Sequence, residues 1–212
     1  MKLVSYRTDL LPRALGLYHD GNVLDLSEAG KRLNVDLPAA MMEYLPRSEA
    51  AALLAQKVNR AFLAGELDDL AAPESTVELL SPVPSPTSMR DGYAFRQHVA
   101  TARRNRGVEM IPEFDEFPVF YFTNHNAVLG GGDLRVLPDH LQRLDFELEC
   151  AIVVGKHGRN LRASEADAWI HGLCIMNDFS ARQLQMEEMK LNLGPAKGKD
   201  FDVCDPEASN FD

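Results

Sequence analysis

The stretch L144-D-F-E-L-E-C-A-I-V-V-G-K156 decides the fold. Phe146, Leu148, Cys150, Ile152 and Val154 fall on one side of a period-2 alternation, which predicts a β-strand with one buried apolar face. The opposite side begins with Glu147 and Glu149 and turns apolar at Ala151 and Val153. Residues two apart on a strand point the same way, roughly 6 to 7 Å apart. Two carboxylates held so close repel one another, and each is costly to desolvate without a partner. Either they sit on a solvent-facing edge, or a divalent cation neutralises them, since hard cations favour carboxylate oxygens.

Working outward, "GLCIMND" reads as a short apolar strand ending in Asp178, which either caps the next helix or faces a site. On the helix expected from "FSARQLQMEEMK", Arg182 and Gln185 stand four and seven residues after Asp178, a spacing that would put all three near one face. Asp91, in "MRDGYAFRQHV", sits at a similar strand-to-helix junction. It precedes His98 by seven residues, and His98 is either structural or a base beside a second candidate carboxylate. "GPAKGKD" is not a phosphate loop. Its glycines are too close together, and Asp200 stands where a magnesium-binding Ser or Thr belongs. Neither a zincin nor a nucleophile-elbow motif is present.

The N-terminal part has a different texture. "LGLYHDGNVLDLSEA" predicts two short strands around a turn at His19 to Asn22. "SEAAALLAQKVNRAFLAG" predicts a helix with Ser48 as N-cap and Gly65 past its end. "LLSPVPSPTS", with Pro82, Pro84 and Pro86, is a stiff connector. It sets the expected boundary between a small unit, residues 1–80, and a larger one, residues 81–212. Beyond it, helices are expected over "YAFRQHVATARRN" and over "ASEADAWIHGL" with Ser164 as N-cap. Further strands are expected at "FPVFYFTNHN" and "LRVL".

Composition narrows the classes. Of 212 residues, 45% are hydrophobic and 25% charged, as in ordinary globular proteins. A net charge of −10 argues against nucleic acid as partner, and with it against a metal-dependent nuclease. "TARRNRG" is either a solvated helix end or a carboxylate-binding patch. No apolar run approaches a membrane span, and the N-terminus lacks a signal-peptide pattern. Three scattered cysteines suggest neither disulfides nor a zinc site, so a reduced, cytoplasmic protein is expected.

Four blocks in order, "RDGYAFRQHVA", "LDFELECAIVVG", "MNDFSARQLQ" and "LGPAKGKDF", resemble the fumarylacetoacetate hydrolase family. The resemblance spans about residues 82–201, and the N-terminal unit looks like the family's accessory domain. It implies an α+β fold, a mixed β-sandwich roll with a small N-terminal β/α domain. It also implies a magnesium or calcium ion, with manganese as an alternative. By resemblance the metal ligands fall on Asp91, Glu147, Glu149 and Asp178, and the catalytic histidine on His98. Substrate contacts fall on Tyr93, Tyr121, Arg182 and Gln185, and the lysine near the metal on Lys199, with Lys197 close by. A further substrate tyrosine of the family corresponds to Met189.

The implied chemistry is hydrolytic cleavage of a carbon–carbon bond in a small β-diketo acid, as in the breakdown of aromatic compounds, by a homodimer. Decarboxylation, tautomerisation or hydration of 2-keto acids on the same metal site, or non-catalytic ligand binding, are the alternatives. In the family the core continues after the "GKDF" block and supplies the glutamate that orients the histidine. Here "DVCDPEASNFD" ends the sequence, so a shortened core is expected: a truncated product, a fragment completed by another chain, or a short form that folds.

Overall fold

The computed structural model describes residues 1–201; the acidic stretch Asp202–Asp212 lies outside them. The described residues form strands β1 (Leu3–Arg7), β2 (Ala14–His19), β3 (Asn22–Asp25), β4 (Ala71–Pro73), β5 (Glu78–Leu79), β6 (Arg90–Gly92), β7 (Phe120–Phe122), β8 (Leu144–Val154) and β9 (Ile170–Ala181). The α-helices are α1 (Leu26–Arg32), α2 (Met41–Tyr44), α3 (Ser48–Leu63), α4 (Arg96–Asn105), α5 (Glu113–Glu116), α6 (Pro138–Leu141), α7 (Arg182–Met189) and α8 (Ala196–Lys199). This is an α+β chain. None of these helices is long and apolar enough to cross a membrane.

Two compact units emerge. The first comprises Met1–Pro86, Val128–Leu134 and Phe146–Asp178; the second comprises Thr87–Ala127, Arg135–Asp145 and residues 179–201.

In the first unit a five-stranded sheet has the order β4-β3-β2-β1-β5, antiparallel throughout. Its hairpin β2–β3 turns at Asp20 and Gly21, whose φ values of 51° and 76° are those of the two-residue turn that suits strand twist. Asp25 starts α1 by accepting the Glu28 N–H at 2.8 Å through one carboxylate oxygen. Its other oxygen accepts the Tyr6 hydroxyl at 2.7 Å. Burial, and then that bond, push the Tyr6 phenol well above its usual range. Ala51, Ala55, Val58 and Phe62 form the buried stripe of α3, which meets Leu15, Leu17, Leu24 and Leu26 in the core. Gly65 (φ 76°) closes α3: its N–H donates to Phe62 and the next N–H to Ala61, the two-bond cap that a left-handed residue permits.

Ser48 is not the N-cap of α3. The residues before it, Leu45–Arg47, already form a 3-10 turn, so Ser48 is helical and its hydroxyl donates instead to the Gly155 carbonyl at 2.9 Å. Ser164 caps nothing either, because "ASEADAW" is a 3-10 helix over Ala163–Trp169 with Arg162 at its N-cap and no side-chain capping bond. "LRVL" forms no strand.

β8 and β9 pair as a two-stranded sheet, mainly in the first unit, with Leu144–Asp145 and Phe179–Ala181 grouped in the second. The alternation of β8 holds, but its burial is inverted. Glu147, Glu149, Ala151 and Val153 are half-buried, whereas Phe146, Leu148, Ile152 and Val154 are exposed. Period 2 fixes which residues share a face; an opposing layer decides which face is covered, and none of the described residues covers the apolar row. In the second unit β6 and β7 pair antiparallel, with Asp91 opposite Tyr121.

Candidate metal and substrate site

β9 is longer than its apolar run suggests. It passes through Asp178 and ends at Ala181, with Ser180 and Ala181 fully buried. Asp178 is therefore a buried carboxylate inside a strand, not a helix cap, and it does not share a helical face with Arg182 and Gln185. On the partner strand β8, Glu149 brings one carboxylate oxygen within 4.8 Å of one from Asp178. Glu147 lies two residues back on the same half-buried face, outside that convergence. Two carboxylates converging from paired strands are a hard, all-oxygen donor set, and they fit a divalent cation.

The second unit carries the other candidates. The Tyr121 hydroxyl donates to Asp91 Oδ2 at 2.7 Å, directly across the β6–β7 pair. This bond holds the carboxylate through one of its two oxygens. His98 lies in the first turn of α4, where the Tyr93 ring meets it edge-on at 5.6 Å between centroids. An aromatic edge restrains the imidazole plane without competing for its nitrogens.

Arg182 opens α7, and its guanidinium donates to Asp145 Oδ2 and to Gln185 Oε1, both at 3.0 Å. With the Gln185 carbonyl engaged, the rest of that amide is an N–H donor group, suited like the guanidinium to a carboxylate. Lys199 ends α8 half-buried, whereas Lys197 is exposed.

Several residues around these side chains escaped the sequence reading. Asp145 at the start of β8 orients Arg182. Asp200, half-buried, accepts the Thr123 hydroxyl at 2.8 Å and the Asn124 N–H at 3.3 Å, and burial raises its carboxyl above the usual range. Its only sequence signal was a mismatch to a phosphate loop.

Residues 87–207 match the family model described as "Fumarylacetoacetate (FAA) hydrolase C-terminal". Oxaloacetate tautomerase FAHD2A, mitochondrial, of Bos taurus is 32% identical over 189 residues, 88% of this chain. The chain belongs to the fumarylacetoacetate hydrolase family. The Homo sapiens protein of the same name is 30% identical over 190 residues, again 88% of this chain. The chain spans about half the length of these relatives, 55% in each case. Among solved structures, a fumarylacetoacetate hydrolase from Exiguobacterium antarcticum superposes with a TM-score of 0.59 at 22% identity, covering 96% of this chain and 63% of the other. Maleylpyruvate hydrolase from Sphingobium sp. SYK-6 gives 0.60 at 19% identity, covering 96% and 62%. These likenesses identify the α+β fold as that of the family, whose members include hydrolases and tautomerases.

Proposed function

We propose that this chain carries the metal and substrate site of an enzyme acting on small β-dicarbonyl acids, of the oxaloacetate or acylpyruvate type. The observation that carries the reading is the convergence of Glu149 and Asp178 on paired strands. Asp91 and Glu147 join them as ligands in this reading, around magnesium, calcium or manganese. Bound there, the ion supplies a Lewis acid for the substrate's carbonyl oxygens.

The remaining chemistry belongs to the side chains. Arg182 and Gln185 hold the substrate carboxylate, and Lys199 faces the developing enolate with a positive charge. Tyr93 and Tyr121 line the acid's flanks. His98 moves the proton. In keto–enol interconversion it takes a proton from the carbon between the carbonyls, leaving an enolate, and delivers it to the enolate oxygen; the similarity to oxaloacetate tautomerases favours this reaction. Hydrolytic carbon–carbon cleavage is the second reading, favoured by the four motif blocks. There His98 takes a proton from water, whose oxygen adds to the carbonyl carbon, and the bond to the neighbouring carbon breaks to leave an enolate.

Residues 1–80 form an accessory domain in this reading, and the working protein is a cytoplasmic homodimer. The test is a thermal melt with EDTA and then with each metal, paired with ultraviolet assays on enol oxaloacetate and on acylpyruvates. A metal-dependent rise in Tm with turnover of either substrate supports the reading, and the substrate consumed selects between the reactions. Neither a rise nor turnover overturns it.

A further inference from the structure

The Glu188 side chain on α7 reaches across to the next helix. Its two carboxylate oxygens accept the N–H of Lys197 at 2.7 Å and of Gly198 at 2.8 Å, both in the first turn of the short α8, and the Gly198 N–H also reaches the Pro195 carbonyl at 3.2 Å. A carboxylate is the strongest acceptor available to such donors. Gly198 is buried, and a Cβ there would lie 2.7 Å from the backbone nitrogen of Gln185 and 2.8 Å from its Cα. The turn is thus pressed onto the residue that binds Arg182, with no room for a side chain between them.

We infer that Glu188 is a positioning residue. It locks the α8 turn to α7, and so holds Lys199 at a fixed distance from Arg182 and Gln185. The inference rests on the substrate roles proposed for those three residues. Without the clasp, α8 keeps its sequence but loses its register against α7, and Lys199 moves relative to the carboxylate-binding pair.

The test compares the wild-type chain with Glu188→Ala and Glu188→Gln. It uses substrate kinetics, thermal melts, residue-resolved hydrogen exchange, and acylation of Lys199 mapped by mass spectrometry. Glu188→Ala is expected to lower kcat by about ten- to a hundredfold, the cost of a misplacement of roughly 1 Å, with KM changed far less. Amides 197 and 198 lose protection, Lys199 changes its acylation rate, and Tm moves little. Glu188→Gln, which keeps carbonyl acceptance for one of the two amides, falls between. An unchanged kcat in Glu188→Ala overturns the inference, as do wild-type amides that exchange as fast as those of the variant. If the wild-type chain turns over neither substrate, the functional reading is what fails. Lys199 then decides: an acylation rate altered by Glu188→Ala supports the positioning role, and an unaltered one overturns it.

Discussion

Glu149 and Asp178 bring two like charges together, one carboxylate oxygen of each within 4.8 Å of the other, and Asp178 is buried, so repulsion and desolvation both weigh on the ionised pair. A bound cation relieves both costs, so metal binding should appear as folded-state stability. Glu149→Gln keeps the shape and removes one charge. It should abolish the magnesium-dependent rise in Tm while raising the Tm measured in EDTA or leaving it unchanged, because the repulsion with Asp178 is gone. A variant that still gains stability with magnesium would remove Glu149 from the ligand set. His98→Ala separates chemistry from binding. It should lower kcat/KM by roughly 10²- to 10⁴-fold, the usual contribution of a general base, and leave the metal-dependent melt as in the wild type. In the proposed reading Asp91 is a further ligand, and Tyr121 already satisfies one of its oxygens. Tyr121→Phe should therefore weaken metal binding modestly by freeing the carboxylate, measured by calorimetric titration of magnesium.

Elements, rather than single side chains, explain where α2 and β9 meet inside the first unit. Tyr44, fully buried, has a hydroxyl with no hydrogen-bond partner among the described residues, and its ring meets His171 edge-on at 5.2 Å. Removing an unsatisfied buried hydroxyl is close to neutral or favourable, so Tyr44→Phe should raise stability by about 1 kcal/mol in urea unfolding. Burial lowers the His171 pKa below its ordinary value. The native state therefore binds fewer protons than the unfolded state once the pH falls below about 6.5. Stability should fall as the pH drops from there toward the lowered native pKa, with no contribution above 6.5, and His171→Phe should flatten that slope. The paired hairpin, α3 and its glycine cap, α4, and the alternation of β8 were all legible, because each is dictated by local spacing and turn chemistry. The true end of β9 was not: Asp178 looks like a helix start by sequence, and only the burial of Ser180 and Ala181 carries the strand past it. Ser48 and Ser164 look like caps for the same reason, but a tertiary bond and a 3-10 turn override them. At the site the residue types were legible and the supports were not. Asp145, Glu188 and Asp200 act across 37, 9 or 10, and 76 or 77 positions, a separation that no periodicity reveals.

At the scale of the molecule, the exposed row of β8 continues onto β9. Leu148 is 71% exposed and Ile175 79%, with Phe146, Ile152, Val154 and Leu173 more than half exposed beside them. Scattered apolar side chains are normal on a surface, but adjacent rows on two paired strands form a contiguous patch of the kind that associates. A net charge of −10 opposes association at long range, yet charges farther apart than a Debye length, about 8 Å at physiological salt, are largely screened. The patch should therefore prevail at ordinary ionic strength. The chain, expressed as it stands, is expected to self-associate with rising concentration in analytical ultracentrifugation, and to bind a hydrophobic dye. Adding salt should strengthen association, since it screens the repulsion and leaves apolar contact intact. Leu148→Lys with Ile175→Lys places two charges at the middle of the patch. It should return the chain to monomer and quench the dye signal, while leaving the metal-dependent melt unchanged, because both side chains point away from the face that holds Glu149 and Asp178. A wild-type chain that stays monomeric and dye-free across the concentration range would show that this row is covered in solution.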